Sequence, residues 1–205
     1  MITLKVDIER FPKLTEGLVQ RGLAAYVDWL RCVAVPNLTI WHEMDLAVLT
    51  RAGCLYEYEI KLTQADWNGD KRKDVVVETD WHRQMAALGP EYAARHAPRP
   101  IRNLNHVERF YYVYAKGLTC PDWVPEWAGL ISVDYKAQNG AMWLDFHSVR
   151  RAKSRRVEKP SEGAVRKIYM AAYMRFWNYA MNLPLSRQVE VIESPVPEYE
   201  EAQHG

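Results

Sequence analysis

Glu57-Tyr58-Glu59-Ile60-Lys61 is the stretch whose reading decides the fold. In a strand, successive side chains point to opposite faces. Glu57, Glu59 and Lys61 then share one face, and Tyr56, Tyr58, Ile60 and Leu62 the other. A second apolar run upstream carries Asp45, and Thr50-Arg51-Ala52-Gly53-Cys54 joins the two. A three-residue loop ending in a left-handed glycine is a common hairpin connection. With Arg51, Ala52 and Gly53 as that loop, Thr50 faces Cys54, and counting back puts Asp45 opposite Glu59. Side chains so opposed have Cβ atoms roughly 5 Å apart, and like charges there repel. Two carboxylates placed this way ask for a cation between them.

An antiparallel hairpin with one wet face alternates in the same way. On that account the acidic face is solvated surface, the role favoured for Glu57 over that of a further ligand. The same register opposes Glu43 to Lys61, as a cross-strand ion pair or an outer contact of the site.

Bulk properties narrow the class. At 205 residues the chain can bury one full core. Its 48% hydrophobic and 12% aromatic content fits a soluble globular protein. No apolar run reaches the length of a membrane span, and no secretion signal opens the chain. Cys32, Cys54 and Cys120 are odd in number and far apart, which fits a reducing cytoplasm and argues against a structural zinc site. Net charge is only +1, but it is unevenly spread. Arg150, Arg151, Lys153, Arg155, Arg156 and Lys159 crowd one stretch, Lys71-Arg72-Lys73 another, and residues 189–205 form an acidic tail expected to be disordered.

The expected elements run as follows. Residues 2–9 alternate like a strand. Thr15 caps a helix reaching about Cys32, with the stripe Val19, Leu23, Tyr26 and Leu30. Glu16 extends that stripe backward, either as a complement to the helix dipole or as a ligand. Strands over Leu38–Leu49 and Cys54–Leu62 follow, then a helix from about Asp80 to Arg95 and a strand over Val107–Ala115. Gly129–Tyr135 and Ala141–Val149 form a hairpin turning near Asn139-Gly140. Ser161 caps a last helix to about Asn182, with Val165, Ile168, Ala172 and Phe176 as its packing stripe. This is an α/β layout with a mixed sheet, in one domain over residues 1–188.

Asp45, then Glu59-Ile60-Lys61, with Glu16 on the preceding helix, resembles the PD-(D/E)xK nuclease superfamily. Met44 stands where its motif has proline. Glu59-Ile60-Lys61-Leu62-Thr63-Gln64-Ala65-Asp66-Trp67, then Asp70, is similar to the E-x-K-x-S-x-x-D-F-x-x-D signature of bacterial and phage nuclease-like proteins, some of them linked to DNA repair. Thr63 replaces the usual Ser, and Trp67 the usual Phe. The resemblance implies a restriction-endonuclease-like αβββαβ core over about residues 15–115, with the C-terminal hairpin and helix as additions.

It also implies a function: metal-dependent hydrolysis of DNA phosphodiester bonds. Asp45, Glu59 and Lys61 would be catalytic. Asp45, Glu59, the carbonyl of Ile60 and Glu16 would hold Mg²⁺ or Mn²⁺, hard ions suited to oxygen ligands. Lys61 would orient a water and stabilise the phosphate. Asp66 and Asp70 would cap or tether the next segment. Lys71, Arg72, Lys73, Arg150, Arg151, Lys153, Arg155 and Arg156 would neutralise DNA phosphates or be solvated surface. His82, His106 and His147 show no ligand spacing and read as structural or surface. A homodimer is a further expectation. The alternatives are a nuclease-fold DNA-binding or accessory protein without catalysis, and a protein-interaction module.

Overall fold

Alternating and β-branched side chains make strands of the chain's middle, and seven of them pair edge to edge in the computed structural model. It describes residues 5–9, 11–27, 32–71, 73, 80–95 and 102–181. In order these form β1 (Lys5–Val6), α1 (Glu16–Tyr26), β2 (Cys32–Thr39), β3 (Glu43–Thr50), β4 (Leu55–Lys61), α2 (Gln64–Asp70), α3 (Asp80–Ala87), α4 (Pro90–Arg95), β5 (Val107–Ala115), β6 (Gly129–Gln138), β7 (Ala141–Arg150) and α5 (Glu162–Met181). The sheet order is β1-β7-β6-β5-β4-β3-β2. β4, β5 and β6 run parallel and the other pairings are antiparallel, so the sheet is mixed. The order α1-β2-β3-β4-α2-α3-α4-β5 keeps the helix, three strands, helical stretch and strand that the resemblance implies, with α2 as a helix not expected and with a hairpin and helix added. Among the described residues no helix is long and apolar enough to cross a membrane.

Turn chemistry sets the registers. Gly53 takes φ +78°, and its N–H donates to the Thr50 carbonyl at 2.9 Å. Leu49 then pairs with Leu55 and Leu46 with Tyr58, the register that puts Asp45 across from Glu59. Asn139 and Gly140 both take positive φ, at 51° and 71°, as a two-residue hairpin turn requires.

Each sheet face is covered. Thr15 caps α1, its hydroxyl accepting from the Leu18 N–H at 3.3 Å. Val19 and Leu23 of α1 are fully buried against Leu46, Tyr58, Ile60, Val113 and Leu144. Each such side chain contributes about 1.5–3 kcal/mol. A Cβ on Gly22 would stand 2.6 Å from Leu144 Cδ1, so only glycine lets α1 approach β7 this closely. On the other face, Leu55, Ala47, Phe110 and Tyr112 pack under Trp67 of α2 and Ile168 of α5.

Several expectations need correction. The first helix stops at Tyr26, because Cys32-Val33-Ala34-Val35 is a better strand than helix. The expected Leu38–Leu49 strand is really the end of β2 and all of β3, with Ile40, Trp41 and His42 between them. Pro36 lies within β2, which is tolerated because β2 is an edge strand. The helix over Asp80–Arg95 breaks at Gly89 (φ +132°), and Pro90 opens α4. Within the described residues the first strand is Lys5–Val6 and ends there, since Asp7 turns back to accept from the Glu9 N–H. Ser161 caps α5 as expected, but Phe176 is exposed, together with Tyr169, Tyr173 and Trp177. Residues 1–4 and the tail 189–205 lie outside the described residues.

Candidate active site

Asp45 lies where β3 lets go of its neighbours. β2 pairs with β3 on either side of it, at Pro36↔Leu46 and Leu38↔Met44, while Asn37 takes φ +48°. The Gln20 side-chain amide of α1 fills the opening, 2.8 Å from the Asp45 carbonyl, 2.8 Å from Asn37 Oδ1 and 2.9 Å from Glu16 Oε1. The Asp45 carboxylate in turn accepts the Ile60 N–H at 2.6 Å. Burial, and then the neighbouring Glu59, push the Asp45 carboxyl up to about 7.

The expected wet face of β4 is buried. Glu57, Glu59 and Lys61 are 0%, 1% and 4% exposed, so the polar alternation marks an interior charge cluster. Glu59 Oε1 takes Lys61 Nζ at 3.1 Å, Arg102 Nη2 at 3.4 Å and the Lys73 ammonium. Its other oxygen, Oε2, is buried with no hydrogen-bond partner among the described residues.

Asp70 is the second anion of the cluster. It accepts from Lys61 Nζ at 2.8 Å, from Arg102 Nη2 at 2.8 and 2.7 Å, and from the Tyr112 hydroxyl at 2.9 Å. Burial pushes its carboxyl upward, but Arg102 and Lys61 outweigh that and hold it well below the usual carboxylate range. Asp66 is a cap, as expected, closing a reciprocal box with Thr63 at the start of α2.

Glu57 is neither solvated surface nor a free ligand. His42 Nε2 stands 2.9 Å from both its oxygens, and the Asn103 N–H donates to His42 Nδ1 at 3.3 Å. An Nδ1 that accepts carries no proton, so Nε2–H is the donor to Glu57. Burial raises the Glu57 carboxyl, against the pull of His42. Lys61 turns to Glu59 and Asp70, so the expected ion pair with Glu43, which is exposed, does not form.

A cleft of about 400 Å³ brings together Glu16, Asp45, Glu59, Ile60, Lys61, Asp70 and Lys73. All the expected catalytic and metal-holding residues line it. Glu16 is occupied by Gln20, however, and among the described residues no three His, Cys, Asp or Glu side chains gather closely enough to hold an ion. The expected oxygen donors of the cleft are Asp45, Glu59, the Ile60 carbonyl and Glu16, the last with Oε1 accepting from Gln20.

The basic residues divide. Lys73 belongs to the cleft, while Lys71 is exposed and Arg72 lies outside the described residues. Arg150 donates to the carbonyls of Ala128 and Pro125, both at 2.8 Å. Arg155 donates to those of Leu104 and Val107, and its guanidinium lies 4.9 Å from the Trp127 ring centre. Arg150 fastens the end of β7 to the loop before β6, and Arg155 fastens the 151–161 segment to the start of β5. Arg151, Lys153 and Arg156 remain exposed, Lys153 with Glu126 3.8 Å away.

Arg102, Tyr112, Gln20 and His42 were not foreseen as site residues. Gln20 carried a signal, one helical turn after Glu16. Tyr112 is the neighbour of Glu59 in the β4–β5 register, which only the fold discloses.

No protein-family model matches the chain, and no curated protein does. Among solved structures it is similar to the SPO1766 protein of unknown function from Silicibacter pomeroyi. That likeness covers 84% of this chain and 98% of the other at 17% identity, with a TM-score of 0.53. Likeness at this identity extends to the fold alone.

Proposed function

We propose that the protein is a divalent-cation-dependent hydrolase of DNA phosphodiester bonds, working in the cleft between Asp45 and Glu59. One observation carries this reading: Glu59 Oε2 is buried without a partner among the described residues, across the hairpin from an aspartate held at the edge of ionisation. A buried carboxylate oxygen left unsatisfied is costly, and a cation relieves both that cost and the repulsion between the two acids. The donors fit a hard ion. Mg²⁺ is commonly held by one or two carboxylates and keeps several waters. Asp45, Glu59 and the Ile60 carbonyl would hold it. When bound, such an ion supplies an activated water and neutralises charge on the phosphate.

The remaining work falls to the chain's own groups. The Ile60 N–H fixes the Asp45 carboxylate, and Gln20 fixes its backbone. Lys61 and Arg102 hold the Glu59 side chain in place through Oε1, leaving Oε2 without a hydrogen bond among the described residues. The test is DNA cleavage with Mg²⁺ or Mn²⁺, compared with chelator, in wild type, Glu59→Gln and Asp45→Asn. Cleavage lost in both variants is the expected result. Undiminished cleavage in both overturns the reading.

A second reading has its own support. Three cations already surround Glu59 Oε1, so the cluster stays neutralised without a metal. A DNA-binding accessory protein of this fold would show no scission with any divalent ion, and salt-sensitive DNA binding that survives Glu59→Gln.

A further inference from the structure

We propose that Lys73, and not the motif lysine Lys61, is the cation that meets a substrate phosphate at the mouth of the cleft, with Lys61 acting as a positioning residue. The proposal rests on the hydrolase reading above and assigns its anion contact. Charge pairing carries it. Among the described residues the cluster holds two carboxylates, Glu59 and Asp70, and three cations, Lys61, Lys73 and Arg102. Lys61 and Arg102 each reach both carboxylates and are almost wholly buried, with side chains 5% and 2% exposed. They match the two anions one for one, and the core cannot spare either. Removing one partner of a buried pair leaves an uncompensated charge.

Lys73 is the surplus. Its side chain is 35% exposed and lines the cleft. It can leave Glu59 without orphaning Oε1, which keeps Lys61 at 3.1 Å and Arg102 at 3.4 Å. It can leave Asp70, 3.3 Å away, because Lys61, Arg102 and Tyr112 remain. A lysine is a flexible, well-hydrated point charge suited to a phosphate oxygen. Lys61 Nζ has none of this freedom, enclosed between Glu59 and Asp70. The ligand class is a phosphodiester of a nucleic-acid strand.

The test measures binding of a short labelled DNA oligonucleotide, single-stranded and duplex, to the full chain in chelator across a salt series. Lys73→Gln should weaken binding about tenfold. It should also flatten the slope of log K against log salt by about 0.7 to 0.9, the signature of one lost phosphate contact. Lys73→Arg should restore both, and the melting temperature should stay close to wild type. Lys61→Gln should lower the melting temperature by several degrees and leave the salt slope unchanged. Should Lys61→Gln not fold, that bears out its structural role. Wild-type affinity and slope in Lys73→Gln overturn the proposal, as does destabilisation equal to that of Lys61→Gln. If wild type cleaves DNA while Lys73→Gln binds normally, this assignment fails and the hydrolase reading stands. If wild type neither binds nor cleaves, both fall.

Discussion

The two ends of β4 are both rich in charge, and they handle it in opposite ways. At the carboxyl end, Glu59 and Lys61 join Asp70, Lys73 and Arg102 in a largely buried cluster of opposite signs. At the amino end, about 20 Å away along the strand, the 151–161 segment crosses the sheet. Lys159 reaches the Ala52 carbonyl there, and Arg155 those of Leu104 and Val107. In sequence the amino-end segment looks the more promising nucleic-acid surface, because it is a nearly unopposed run of Arg and Lys. In space, Arg150 and Arg155 direct their donors at main-chain oxygens and serve as fasteners. Charge density along a chain therefore says little about binding until the partners are known. The acids of β4, which alternate like wet surface, are the ones withdrawn from water.

Removing the hub of the carboxyl end should have the largest effect. Asp70→Ala leaves Lys61 and Arg102 under-compensated in the core and should cost about 3–5 kcal/mol in denaturant unfolding. A loss below about 1 kcal/mol would mean that the cluster is more hydrated than its burial indicates.

Asp45→Asn should do the reverse. The Asp45 carboxyl is raised from 3.8 to about 7 in the folded protein, so the folded state holds a proton that the unfolded state gives up. Stability contributed by the wild-type side chain therefore falls as pH rises from about 4 to about 7, and the penalty is complete above that. The variant should match wild type near pH 4 and exceed it by about 2 kcal/mol near pH 8, with the full shift discounted for partial solvent access. Asp70, with its carboxyl lowered, contributes stability above the unfolded value and loses it as pH falls below about 4. Two acids of one cleft thus pull the pH profile in opposite directions, which thermal melts across pH will register.

At the amino end the effects should be smaller. Arg155→Ala frees two carbonyls and uncovers Trp127, and should cost about 1–2 kcal/mol. Replacing Arg151, Lys153 and Arg156 together with alanine should change stability by about 0.5 kcal/mol or less per site. If these exposed cations meet DNA, the same triple variant will bind a labelled duplex with a shallower salt dependence. If its salt dependence matches wild type, the segment is a fastener alone.

The hairpin register was legible because local chemistry sets it. Gly53 accepts the left-handed turn, Thr50 faces Cys54, and the count to Asp45 and Glu59 follows. The burial of that face was not legible, because what covers it comes from elsewhere. Trp67 arrives from α2 and Ile168 from α5. Arg102 comes from a loop whose neighbours show no pattern, and it enters the core because Asp70 and Tyr112 receive it there. His42 was missed for a different reason. A single strand drawn from Leu38 to Leu49 hides the turn that lets its ring reach Glu57. The boundary between α1 and β2 was lost because Tyr26 and the valines that follow are apolar at either period.

The outermost strands carry a last consequence. On one flank β1 is described over Lys5–Val6, and on the other β2 carries Pro36, which has no amide hydrogen to offer, beside Asn37, whose carbonyl is taken by Arg175 at 2.7 Å. The β2 border therefore lacks the long, regular row of open donors and acceptors on which a stray polypeptide could dock and multiply into fibrils. That border is thereby guarded against templated aggregation without a dedicated cover.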